Sequence, residues 1–223
     1  ESAGDMAELA TKAMLVGDTT ADVANKFLIG VNAAWGMNGA MSELSKVVDE
    51  TDLVNNRYAT TLEKLADGMP IVASSAANMN MSFEETLALL ATINSKTQET
   101  GRKTATAVRS FLIAISGQVG EFVDDTGETY EVTTENIEAL TDALKLYGNE
   151  AVQSAIQTGQ IINPMEALNS LAQAYKDGLI DDISLQEMLI KVAGKMRYNQ
   201  LVTIVKDLAS ESSTYREIRS LQR

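Results

Sequence analysis

Residues 82–104 read SFEETLALLATINSKTQETGRKT, and their interpretation decides what kind of protein this is. Ser82 with Glu85 three positions on is a capping box, in which each side chain satisfies the other residue's free amide at a helix start. Leu87, Leu90 and Ile93 follow at helical spacing and give that helix one apolar face. The end of the stretch, ETGRKT at 99–104, has the glycine, cations and threonine of a phosphate-binding loop. Such a loop needs a glycine, four residues, then Gly-Lys-Ser/Thr, and it follows a β-strand. Here Arg102 separates Gly101 from Lys103, residues 96–100 contain no glycine, and residues 83–95 read as helix. The spacing therefore argues against a nucleotide and for a helix that ends across 97–101, a turn started by Gly101, and a second helix over 104–115. That second helix has small residues on one side and Val108, Phe111, Leu112 and Ile115 on the other.

The same helical grammar recurs along the chain. Thr19 with Asp22, Asn163 with Pro164 and Glu166, and Ser184 with Glu187 all read as helix starts. Breaks are expected at Gly17-Asp18, across 36–39, at Gly68-Met69-Pro70, at Gly101, at Asp177-Gly178 and at Gly194. About ten helices joined by short turns result, an all-α bundle. Composition agrees: the 223 residues are 45% hydrophobic but only 5% aromatic, with ten methionines and two prolines, Pro70 and Pro164. One segment departs from the pattern. Residues 122–132 alternate apolar and polar on both sides of Asp125-Thr126-Gly127, which predicts a short β-hairpin. As a calcium loop the segment fails, because placing Gly127 sixth puts Phe122 where the first aspartate is required.

Several chemistries are disfavoured at the outset. No histidine and no cysteine are present, which removes the commonest general base, the commonest metal ligand and any disulfide or thiolate site. We expect no catalytic, cofactor-binding or metal-binding residues. The acids Glu128 and Glu131 would be the nearest approach to a glycosidase pair, but solvated hairpin acids explain them better. The net charge of −13 disfavours tight nucleic-acid binding. Two uncharged stretches, 27–42 and 68–83, are sixteen residues each, short of the about 20 that span a bilayer. Their Asn, Ser and Gly content suits close helix packing.

Charge is uneven along the chain. Residues 121–150 carry nine acids and one base, whereas residues 191–223 carry seven bases and three acids, so the two regions could meet within one chain or between neighbours. Leu201, Ile204, Leu208, Tyr215 and Ile218 fall three, four or seven residues apart, interrupted by Glu211 and followed by Gln222. They form either an oligomer seam or the buried side of a core-packed helix. The chain begins at Glu1 without a signal peptide and shows no stop signal before Arg223, so it reads as a piece of a longer polypeptide. Two parts are expected: a helical module over 1–198, and a terminal helix over 199–223 continuing into a coiled-coil rod.

The order of these short motifs resembles the core region of phage tail tape measure proteins. Ser82 to Leu90, then Thr97-Gln98-Glu99-Thr100-Gly101, then Ala107 to Phe111 is similar to that family's "S-F-E-E" helix, "T-x-E-S-G" turn and following helix. Thr97, Glu99 and Gly101 match the turn itself. Asn55 to Ala59 with Leu65 to Met69, and Ala193 to Leu201, also resemble family segments, so the likeness runs over roughly 22–209. Thr100, Thr104 and Thr106 depart from the commoner serine, glycine or alanine. The resemblance implies a structural protein of the virion. It would sit in the tail lumen or tip after assembly in the host cytoplasm, set tail length and leave at genome ejection. Implied partners are further copies of itself, tail tube and tail tip or baseplate proteins, and the host membrane at ejection. An alternative expectation is a membrane-active, pore-forming module.

Overall fold

In the computed structural model the described residues are 3–17, 19–123, 127 and 129–223. Asp18 of the first expected break, residues 124–126 of the hairpin turn, and Glu128 of the carboxylate pair lie outside them. The described chain is all-α with one small antiparallel hairpin. Its elements are α1 (Ala3–Gly17), α2 (Ala21–Trp35), α3 (Met41–Arg57), α4 (Leu62–Asn78), α5 (Phe83–Thr97), α6 (Gly101–Ser116), β1 (Gly120–Val123) and β2 (Thr129–Val132). They continue with α7 (Thr134–Tyr147), α8 (Glu150–Thr158), α9 (Pro164–Lys176), α10 (Asp182–Ala193), α11 (Tyr198–Ala209) and α12 (Thr214–Leu221).

Most starts are capped as side-chain chemistry requires. Ser82 and Glu85 form the expected reciprocal box, and Asn163 accepts from the amides of Met165 and Glu166 ahead of Pro164. Two caps move. Thr20, not Thr19, accepts from the Val23 amide at 3.3 Å, and Thr19 is buried instead. Asp181, not Ser184, caps α10, accepting from the Ser184 amide at 2.7 Å. A carboxylate three residues earlier is as good an acceptor as the serine hydroxyl, and Leu185 must lie inside the helix to be buried.

The expected break at 68–70 does not occur. Gly68, Met69 and Pro70 lie inside α4. Proline in mid-helix removes an amide donor, but its ring here meets α2 at Gly30, where an added Cβ would lie 3.3 Å from the Pro70 Cβ. Packing against a neighbouring helix outweighs the lost hydrogen bond.

Helix α4 is the central post, packed most extensively on α6 and α2. Its partner α6 is buried almost all round, with Thr104, Thr106 and Ser110 inside. Ser110 bonds back to the Thr106 carbonyl of its own helix at 2.9 Å, as Thr92 of α5 does to Ala88 at 2.7 Å, whereas Thr104 donates its hydroxyl across to Asn94 Oδ1 of α5 at 2.5 Å. A second group of helices, α7, α9, α10 and α11, packs onto this post through α5 and α6, and its buried residues join one continuous hydrophobic core. The uncharged stretches 27–42 and 68–83 contribute Phe27, Leu28, Val31, Met69, Val72 and Phe83 to that core. Among the described residues no helix is long and apolar enough to cross a membrane.

The hairpin pairs Gly120 with Val132 through Val123 with Thr129. Phe122 and Tyr130 stack on one face at 5.7 Å, and the Arg197 guanidinium lies 4.8 Å from the Tyr130 ring centre. The basic end of the sequence thus does reach the acidic middle, through an aromatic ring.

The stretch expected to be one terminal helix is two. Residues 210–213 interrupt it, and a buried carboxylate spans the break together with Arg216, which donates to the Leu208 carbonyl at 2.8 Å. Asp207, its side chain fully buried, accepts from Ser213 Oγ at 2.7 Å and from the amides of Thr214 and Tyr215 at 3.0 and 3.1 Å, and lies 3.2 Å from Lys96 Nζ. The first turn of α12 is thereby tied to α11, with α5 providing the counter-charge.

Candidate interaction surface

The family-like turn at 97–101 is where three helices lock. Thr97 hydrogen-bonds back to the Ile93 carbonyl at 2.9 Å. Gln98 takes the left-handed conformation at φ 57° and ends α5, while its amide group donates to the Ala59 carbonyl at 2.7 Å. Thr100 then caps α6, accepting from the Lys103 amide at 3.2 Å. Gly101 is therefore the first residue of α6 rather than the start of a turn, which corrects the sequence expectation. Its glycine character answers to packing: a Cβ there would fall 1.9 Å from the Lys64 carbonyl oxygen of α4, and one on Gly68 would fall 2.6 Å from the Gly101 carbonyl. Only two glycines facing each other allow the two backbones this approach.

The cations that made the segment look like a phosphate loop are committed to carboxylates. Lys103 pairs with Glu99 at 2.7 Å and Arg102 with Asp67 at 2.9 Å. Helix α6 does begin here, but its nearest cations are already neutralised.

Beside the turn, α2, α4 and Arg102 of α6 border an open groove of about 580 Å³. Its floor is Gly30 with Pro70, and its walls carry Val23, Ile29 and Ile71. Asp22 with Lys26, 2.8 Å apart, and Asp67 with Arg102 line its edges. An apolar floor between internally balanced ion pairs suits a polypeptide surface better than a charged small molecule. The sequence reading missed this groove. The available signal was Gly30 and Pro70, one within each of two apolar stretches, which mark helices that approach closely.

A smaller recess of about 130 Å³ lies between α2, α3 and the start of α5. Trp35 meets Phe83 edge-on at 5.7 Å and donates its indole N–H to the Met81 carbonyl at 2.8 Å. Lys46 stands 3.4 Å from Glu50 and 3.5 Å from Glu84, and its pKa is raised by both. Burial, followed by the Glu84 charge, pushes the Glu50 carboxyl up, and its Oε2 has no hydrogen-bond partner. Burial would raise Glu84 as well. The hydrogen bond from its own backbone amide, the Lys46 charge and Ser82 outweigh that and hold it below the usual range. The three groups make a charge cluster at a helix junction. Among the described residues no group of three or more acids could hold a metal ion.

Of the eight turn and seam residues singled out from sequence, the turn brings Thr97, Glu99 and Gly101 together. Leu201, Ile204, Leu208, Tyr215 and Ile218 are all buried within the chain, where α11 and α12 pack on α5 and α9. Core packing therefore accounts for their spacing. Glu131 lies exposed on β2.

These features define a helical structural module that presents open grooves and close-packed glycines. The chain belongs to the phage-related minor tail protein family, whose model matches residues 1–197. It is accordingly a structural component of a phage tail, associated with the virion and with other tail components. No curated protein and no solved structure matches it.

Proposed function

We propose that this chain is the core module of a tape measure protein, a helical rod-bearing polypeptide that sets tail length while the tube assembles and is released with the genome. Its work is mechanical, and no bond is made or broken. One observation carries the reading. The motif order that resembles tape measure cores folds into a single lock, in which Gly68 of α4 faces Gly101 of the 97–101 turn and α6 runs on from it. The module serves as a rigid head on the rod, with the α2–α4–α6 groove as the surface offered to tube or tip proteins. Further copies of the chain are included among its partners. The net charge of −13 assists release, because incoming DNA repels it.

A helix advances about 1.5 Å per residue, so a helical ruler shortens in proportion to residues removed. In-frame deletions in the rod outside this module are expected to shorten tails by that amount, measured by electron microscopy, while tails still initiate. Tails of unchanged length would sink the proposal. Replacing Ile29 by Glu, on the groove wall, is expected to reduce the number of tails without changing their length.

A further inference from the structure

Helices α7 and α10 leave a second groove between them, about 270 Å³, away from the α2–α4–α6 surface. Ala139, Ala143 and Tyr147 line it from α7; Ile180, Ser184 and Met188 line it from the α10 side. Ala139 and Ala143 stand one turn apart, so a neighbour can approach the α7 backbone closely. Around it lie three large apolar side chains with no cover. Leu146 is 71% exposed, Leu179 64% and Ile183 69%. Tyr147 donates its hydroxyl to the Leu179 carbonyl at 3.4 Å, which ties the end of α7 to the segment before α10, and Leu146 and Ile183 adjoin the lining residues Tyr147 and Ser184 in sequence.

The exposed charge on these two helices is predominantly acidic. Glu135, Glu138 and Asp142 lie exposed along α7, and Glu187 lines the groove from α10. Opposed to them are Lys191 in the groove wall and Lys145, which is already paired with Asp142 at 3.1 Å. Asp182 faces the other way, bound to Lys206 at 2.6 Å. An apolar track with an acidic rim matches a helix that is apolar on one face and basic at its flanks.

We propose that the α7–α10 groove docks a basic amphipathic helix supplied by another tail protein. A helix of about four turns would cover α7, which at 14 residues is about 21 Å long. Its apolar face would seat on Leu146, Ile183 and Met188, over the two alanines, and its lysines or arginines would meet Glu135 and Glu187. The inference needs only a tail protein, so its failure would leave the tail-length reading standing.

The test uses the chain as it is and a fluorescent helical peptide of about 18 residues, leucines on one face and lysines elsewhere, with a twin in which glutamate replaces lysine. Anisotropy is read at about 150 mM salt, where generic attraction to an acidic chain is screened. The lysine peptide is expected to bind, and the twin at least about tenfold more weakly. Leu146→Ser with Ile183→Ser should weaken binding about tenfold, and Glu187→Lys about fivefold. These side chains are solvent-exposed, and circular dichroism should show the parent fold. Equal binding by parent and variants would overturn the proposal, as would equal affinity for the twin or no binding. So would self-association of the chain, or adsorption to phosphatidylcholine vesicles, that the same serine variants abolish.

Discussion

At the scale of single residues, the absence of a side chain matters most where helices cross. Gly101→Ala places a methyl group inside the Lys64 carbonyl, a contact no rotamer relieves, because both sides are backbone. We expect a loss of about 3 kcal/mol, measured by urea unfolding. Gly36→Ala, with φ 62° but open space around it, should lose only about 1 kcal/mol. Equal losses would show that backbone conformation and not helix approach sets the requirement. Glu50 illustrates the opposite case, a group whose charge the fold tolerates poorly. Its folded-state pKa is raised, first by burial and then by Glu84, with Lys46 and Arg219 only partly compensating. Below the carboxylate range both folded and unfolded chains are protonated, and Glu50 affects stability least. As pH rises through the unfolded value, the unfolded chain loses its proton first, so the stability associated with Glu50 falls until the folded value is passed. Glu50→Gln should therefore raise the Tm at neutral pH, with a difference that shrinks on acidification. A variant that is less stable at neutral pH would mean the Lys46 pairing outweighs burial.

At the scale of elements, helix starts were the most legible feature. Caps at Ser82 and Asn163 lie where their side chains put them, because capping is settled within four residues. The hairpin was equally local, and its strands pair on either side of the expected turn. Errors arose where a distant partner decided. Pro70 reads as a break unless Gly30 is known to receive it, and the run from 199 onward reads as one helix unless Asp207 is known to be buried. That buried carboxylate defines an element-level prediction. Asp207→Ala removes the acceptor of two amides and a hydroxyl and leaves Lys96 without its counter-ion. We expect a loss of about 2–3 kcal/mol. Amide exchange should accelerate in α12 ahead of the rest of the chain. Uniform acceleration throughout would mean that α12 is not separately anchored.

At the scale of the whole molecule, the chain is organised around one post, α4, onto which α2 and α6 close through Gly30, Gly68 and Gly101. The remaining helices extend that core, and among the described residues two of the grooves they leave differ in character. The one over α2 and α4 is electrostatically balanced, and the one between α7 and α10 is apolar with an acidic rim. A tail component that binds more than one neighbour needs such unlike surfaces, since specificity is a difference between affinities.

The sequence by itself determined the all-helical class, the hairpin, most of the boundaries and the lack of histidine and cysteine chemistry. Each of these follows from interactions within a few residues or from composition alone. Only the tertiary structure decided that Pro70 sits inside a helix, that Gly101 serves close approach, that Leu201 to Ile218 face the chain's own core, and where the grooves lie. Those depend on which helices become neighbours across tens of residues, and the periodicity of one helix specifies that a face is buried without specifying against what.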